Sequence, residues 1–253
     1  MARRCPTCEG SHTCHRGSLR SNKARDLVVR RAVLKLIADN LAVDRGDRRV
    51  FAGLSFSLES GNALVVTGPN GVGKSSLLRT LAGLVSLSEG SLNLHGAQSE
   101  RSVAEHTHYF GHQSAVKPAL SVKENLAFWR DFTTPAQVSN FDPKEYVAQG
   151  ILEELGIGHT SELPAAYLSA GQTRRLAVAR LFVSPRPIWL LDEPTSALDA
   201  NSEAQLIDLM NDHLRRGGMI VTATHTPLSL SPLQSLHLEA LSIDDLAPLE
   251  EIG

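Results

Sequence analysis

Gly68-Pro69-Asn70-Gly71-Val72-Gly73-Lys74-Ser75-Ser76 meets the pattern G-x-x-x-x-G-K-[ST] at Gly68, Gly73, Lys74 and Ser75. Glycines in such a loop let the backbone curl until successive N–H groups point inward at a polyphosphate. The start of a following helix adds partial positive charge. Lys74 is then placed to reach β- and γ-phosphates, and Ser75 to ligate Mg²⁺. A glycine-rich turn with a surface lysine would also satisfy part of the pattern. The flanks decide: Ala63-Leu64-Val65-Val66 reads as a buried parallel strand, and Leu77, Leu78, Leu81 and Leu84 have the spacing of one helix face.

A second group follows about 120 residues later. Ile188-Trp189-Leu190-Leu191 ends in Asp192-Glu193, a buried strand delivering two carboxylates at its C-terminal edge, where α/β folds place ligands. Asp192 fits a second Mg²⁺ anchor. Glu193 is placed to activate the water that attacks a γ-phosphate. Without the glycine loop such a pair would read as solvated strand-end acids. His225 ends another apolar strand, Met219 to Thr224, and is expected to contact the γ-phosphate rather than serve as a packed cap. Gln113, after the strand Thr107 to Phe110, carries an amide that can both ligate Mg²⁺ and orient water.

The elements that must position these groups can be read in order. Leu34, Leu36 and Ala38 alternate with polar neighbours, and Asp44-Arg45-Gly46-Asp47 reads as a hairpin turn. Val50 to Leu58 predicts two short strands ended by Ser60-Gly61, and Ser91 to Leu94 another closed by His95-Gly96. From Ser121 the pattern is helical. Ser121 and Glu124 form a capping box, and Val122, Leu126 and Trp129 share a face. A helix from Tyr146 to Leu155 ends at Gly156 and Gly158. Leu168-Ser169-Ala170-Gly171-Gln172 opens another that Pro185 and Pro187 stop. Residues from about 118 to 186 thus read as an inserted helical subdomain. Ser202 to Leu214 is helical, and the last thirty residues carry little pattern.

The 253 residues and net charge of −2 suit one large globular domain with an insertion. No apolar run approaches the roughly 20 residues that cross a bilayer, and no apolar segment follows the basic N-terminus as in a signal peptide. Residues 1–31 differ from the rest. Eight Lys or Arg against two acidic residues give them +6, leaving −8 on the other 222. They are expected to form a disordered basic extension. All three cysteines lie there, so a cytosolic body without disulfides is expected. Cys5, Cys8, Cys14 and His15 could supply four zinc ligands, but Cys8 to Cys14 is short for a zinc finger and no strand–helix unit surrounds them.

Gly68–Ser76, Gln113, Leu168-Ser169-Ala170-Gly171-Gln172, Asp192-Glu193, Ser196-Ala197-Leu198-Asp199 and His225 stand in the order found in ABC-transporter nucleotide-binding domains, which residues 34–230 resemble. Within that superfamily the chain resembles the haem-exporter ATP-binding subunits of cytochrome c maturation, the CcmA type. The residues behind this are Tyr109-Phe110-Gly111-His112-Gln113-Ser114, Ser121 to Leu126, the Ala170 variant with Arg174-Arg175-Leu176-Ala177, and Thr224-His225-Thr226-Pro227-Leu228.

The resemblance implies an α/β P-loop NTPase fold with a RecA-like lobe, an antiparallel β lobe and a helical subdomain, and residues 231–253 as a short extension. It implies ATP hydrolysis with Mg²⁺ held by Ser75, Gln113 and Asp192. It implies a homodimer in which each glycine loop faces the partner's Ser169, Ala170, Gly171 and Gln172, with Asp199 linking the two sites. It also implies CcmB/CcmC-type permease partners and a peripheral position on the cytoplasmic face of the bacterial inner membrane.

There are two departures. Ala170 stands where glycine is usual, and a methyl costs little if the backbone is helical. No aromatic lies near Arg45, where the family stacks one on adenine; a guanidinium can stack on a base instead, with looser discrimination. Substrate is chosen by membrane partners, so an ABC transporter for another cargo fits the same residues. A DNA- or ribosome-bound ATP clamp fits less well. Only 94 residues separate Lys74 from Ser169, without sustained heptads, and no nucleic acid is expected.

Overall fold

The computed structural model describes residues 33–46, 48–97, 101–111, 113–132, 148–196 and 198–239. The basic extension with Cys5, Cys8, Cys14 and His15, together with His112, Tyr146, Ala197 and the chain beyond 239, lies outside the described residues.

Two sheets carry the molecule. The first is antiparallel, in the order β2-β1-β4, from β1 (Lys35–Arg45), β2 (Arg48–Glu59) and β4 (Glu89–His95). The second is parallel, in the order β5-β6-β7-β3-β8, from β3 (Ala63–Thr67), β5 (Thr107–Phe110), β6 (Ile188–Asp192), β7 (Met219–Ala223) and β8 (Leu233–His237). Helix α1 (Lys74–Leu81) follows β3; α2 (Val122–Phe132), α3 (Ala148–Glu154) and α4 (Ala170–Val183) lie between β5 and β6; α5 (Ala200–Arg215) links β6 to β7.

The central strands read as unbroken apolar runs because both of their faces are covered. Ile188 and Leu190 of β6 face the cluster built by Leu77, Leu78 and Leu81 of α1 and the antiparallel sheet. Trp189 and Leu191 face the opposite cluster, with α4, α5 and the helices of the insertion. The three α1 leucines are fully buried, each stabilising by roughly 1.5–3 kcal/mol. They anchor the helix whose first turn carries Lys74 and Ser75.

Local signals explain most boundaries. Gly46 at φ +61° turns β1 into β2, with Arg45 paired to Arg48. Ser121 accepts from the Glu124 N–H at 3.3 Å while Glu124 accepts from the Ser121 N–H at 2.7 Å, which starts α2. Ser169 and Gln172 cap α4 by the same reciprocal device, at 3.2 and 2.9 Å. Gly156 at φ +67° closes the turn after α3.

Two expectations are corrected. Val50 to Leu58 does not form two strands. It lies within the single twelve-residue β2, because Gly53 at φ +68° absorbs an irregularity in pairing with β1 without breaking the ladder. The domain also does not end at 230. β8 pairs with β3 in parallel, the Leu238 N–H bonds the Thr67 carbonyl at 2.9 Å, and Leu238 is buried. As an edge strand exposed along most of its length, β8 lacks the apolar alternation that would mark it in the sequence.

Candidate functional site

β7 lies between β3 and β6, so the parallel sheet brings three strand ends to one edge. The loop from Gly68 leaves β3, Asp192 ends β6 with Glu193 next, and His225 follows β7. They converge on a cleft of about 510 Å³ lined by Asn70, Gly71, Gly73, Lys74, Ser75, Ser76, Arg79, Asp192, Glu193 and His225, with Arg45, Arg48 and Val50 from the β1–β2 hairpin on its far wall. That volume is within the usual range of ligand pockets.

The loop is shaped by its glycines where the chain leaves no room. A Cβ on Gly68, at φ +136°, would stand 2.4 Å from the Leu238 carbonyl oxygen. The stretch after β8 therefore presses the loop from behind. The Lys74 ammonium donates to the carbonyls of Gly68 at 2.7 Å and Pro69 at 2.9 Å, so it lies folded over the loop it must serve. A phosphate entering the cleft would exchange neutral carbonyls for charged oxygens, which form the stronger bonds.

Ser75 donates from Oγ to Oδ1 of Asp192 at 3.0 Å. Tyr109 donates to Oδ2 at 3.2 Å, and Arg79 donates from Nε to the Tyr109 oxygen at 3.3 Å. Burial pushes the Tyr109 phenol up, and its bond to Tyr109 raises the Arg79 pKa. Asp192 is itself buried. A hydroxyl and a carboxylate 3.0 Å apart, both hard oxygen donors beside a phosphate loop, suit Mg²⁺, which takes one or two protein oxygens and completes its shell with phosphate and water.

Glu193 has φ +48°, in the left-handed region that a non-glycine residue rarely occupies and that costs about 1–3 kcal/mol. Its N–H bonds the Ala223 carbonyl at 2.9 Å, and its own carbonyl accepts from the Ser196 N–H at 3.2 Å and from Arg174 at 2.7 Å. A carboxylate oxygen of Glu193 lies 3.6 Å from Nε2 of His225, within ion-pair range when the ring is protonated.

The remaining sequence-derived residues, Arg45 apart, are placed elsewhere. Gln113 is exposed beyond β5 and does not line the cleft. Ser169 and Ala170 are exposed at the start of α4, with Gly171 and Gln172 half-buried, all outside the cleft of their own chain. Ala170 is the first residue of α4, where a methyl fits without strain. A Cβ on Gly171 would meet nothing within 4 Å, so no described residue requires glycine there. Asp199 caps α5, accepting from the Ser202 N–H at 2.8 Å, which holds its carboxyl below the usual range. Arg45 is exposed and lines the far wall, and no described Phe, Tyr or Trp lines the cleft.

Comparison with known proteins decides the family. The ABC transporter family model matches residues 51–196. The cytochrome c biogenesis ATP-binding export protein CcmA of Nitrobacter winogradskyi is 50% identical over 198 residues, 78% of this chain and 95% of that protein. Its namesake from Rhodopseudomonas palustris strain HaA2 is 51% identical over the same shares. This chain belongs to the CcmA family of ABC ATP-binding proteins. A solved ATP-binding subunit of an ABC transporter superposes with a TM-score of 0.70 at 18% identity, covering 83% of this chain and 97% of that one, a likeness of fold.

Membership of the CcmA family accounts for the order of the motifs but not for four side chains that sequence reasoning gave no place at the site. Arg48 shares the far wall with Arg45. The hairpin register pairing Arg45 with Arg48 was the signal that could have found it. Tyr109 and Arg79 steady Asp192 from β5 and α1. Tyr109 alternates with the buried His108 and Phe110, which puts it on the α1 side of the sheet. Arg174, buried in α4, had no local signal.

Proposed function

We propose that this chain is the ATP-hydrolysing subunit of a membrane complex for cytochrome c biogenesis, with Mg-ATP held between two copies of the chain. The observation that carries the reading is the meeting of Lys74, Ser75, Asp192, Glu193 and His225 at one sheet edge, in a chain of the CcmA family.

In this reading the N–H groups of Gly68 to Ser76 and the Lys74 ammonium hold the β- and γ-phosphates. Ser75 and Asp192 would hold Mg²⁺, with Gln113 as a further ligand. The ion supplies charge stabilisation to the transferred phosphoryl group. Glu193 accepts the proton of the attacking water as the bond between the γ-phosphorus and the bridging oxygen breaks, and ADP leaves with that electron pair. His225, beside the Glu193 carboxylate, contacts the γ-phosphate. Arg45 stacks on the base.

The partner copy supplies its Ser169, Ala170, Gly171 and Gln172, with the α4 N-terminus aimed at the γ-phosphate. The open space at Gly171 supports this, because no described residue of the chain would exclude a side chain there. Asp199, besides capping α5, links the two sites. Permease subunits of the CcmB/CcmC type receive the motion, powering haem export or release of a haem-loaded chaperone. No helix among the described residues is long and apolar enough to cross a membrane, and a peripheral position on the cytoplasmic face of the bacterial inner membrane fits that.

The test is ATP-driven pairing. The Glu193→Gln variant should sediment as a dimer with Mg-ATP and as a monomer with ADP. Adding Gly171→Asp should abolish the dimer, and ATP affinity compared at protein concentrations where both variants are monomeric should stay within about threefold, since a Cβ at Gly171 meets no described residue of its own chain. An ATP-independent dimer, or one indifferent to Gly171→Asp, would refute the composite site.

A further inference from the structure

Arg174 lies on α4, in the turn after Ser169 and Gly171, and is only 5% exposed. Its guanidinium donates to the Gly111 carbonyl at 2.9 Å and to the Glu193 carbonyl at 2.7 Å, and rests 4.0 Å above the ring of Phe110. Burial lowers its pKa to about 10, against the opposing field of Asp192. No carboxylate bonds it among the described residues; both acceptors are neutral carbonyls. Burying a charge on such partners is expensive, and a core that needed only to be filled would be better served by an apolar side chain.

What the charge holds is informative. One acceptor belongs to Glu193, which lines the cleft on a backbone held at positive φ. The other belongs to Gly111, the residue after β5 and two residues before Gln113. Arg174 therefore joins the helix that presents Ser169 and Gly171 to the chain leaving β5 and β6, where Gln113 and Glu193 follow.

We propose that Arg174 is a positioning residue for hydrolysis. It fixes the backbone of Glu193, and because it belongs to α4 it makes the aim of Glu193 depend on α4 being seated against β5 and β6. Turnover is thereby tied to the placement of the helix that faces the partner copy. The inference rests on Glu193 as the general base.

The experiment is a double-mutant cycle on the full chain, with single-turnover ATP hydrolysis and nucleotide affinity measured for each variant. Arg174→Met should lower the hydrolysis rate roughly 100-fold and Arg174→Lys, which can reach one carbonyl at a time, roughly tenfold. ATP affinity should stay within about threefold in both, because Arg174 does not line the cleft. In the Glu193→Gln background, Arg174→Met should cost less than about threefold more, since the group it positions is already lost. Arg174→Met hydrolysing within about threefold of the parent would overturn the proposal. So would a full 100-fold loss repeated on top of Glu193→Gln, or a loss of ATP binding that parallels the loss of rate. If Arg174→Met does not fold, Arg174→Lys carries the same readouts. If Glu193→Gln hydrolyses at the parental rate, the general-base reading falls and this one with it; if only the arginine variants are unaffected, this one falls alone.

Discussion

Tyr109 and Asp192, 83 residues apart, meet at 3.2 Å, so that a phenol from β5 holds the carboxylate oxygen that Ser75 does not. The Asp192 carboxylate is thereby fixed on both oxygens before any ligand arrives. Tyr109→Phe keeps the ring and removes the bond to a charged acceptor, worth about 1.5–3 kcal/mol. We expect the unfolding free energy from urea titration to fall by about that much, with ATP affinity in the absence of metal unchanged, because the phosphate contacts of Lys74 are untouched. Calorimetric titration with and without Mg²⁺ reads the second part.

Nucleotide discrimination should be loose. The far wall of the cleft presents Arg45, Arg48 and Val50, and no described Phe, Tyr or Trp lines it. Guanidinium planes stack on any base. ATP and GTP should bind within about tenfold of one another, about 1.4 kcal/mol, and Arg45→Ala should weaken both alike. Competition with a fluorescent nucleotide measures both. A hundredfold preference for ATP would mean that the wall reads the adenine edge.

Stability should decline in mild acid. His108 and His213 are buried, and burial lowers both to about 3 from an ordinary 6.5. His108 bonds the Ser184 carbonyl beside Arg180 and Arg186. His213 stacks on Trp189 with ring centroids 3.9 Å apart, bonds the Pro187 carbonyl at 3.2 Å, and lies near Asp212 and Arg216. The unfolded chain takes up these protons first. The stabilisation is whole above pH 6.5 and is lost as pH falls from 6.5 toward 3. At pH 5.5 the loss is about 1.4 kcal/mol per histidine. Urea midpoints at pH 7.5 and 5.5 should differ accordingly, and His213→Gln should halve the difference whatever it does to absolute stability.

Much of the site was legible because its signals are local. Gly68, Gly73, Lys74 and Ser75 lie within eight residues, and the apolar run before Asp192 announces both the strand and the charges it delivers. Arg174 was not legible, because its meaning lies in carbonyls 63 and 19 residues away. Nor was β8, whose exposed edge leaves no alternation to read. Ser169 to Gln172 could be recognised as a motif, yet their separation from the cleft in one chain shows only in three dimensions. The far wall was half found: Arg45 by its spacing to Lys74, Arg48 only by the hairpin register.

The central claim is that hydrolysis at Glu193 drives cytochrome c biogenesis. It is tested most directly by haem-stained gels of c-type cytochromes from cells whose only copy of this chain carries Glu193→Gln. The account predicts that the covalent haem bands vanish while the variant accumulates to normal levels and still binds ATP. Bands of parental intensity would contradict it, leaving an ABC ATPase whose turnover serves some other system.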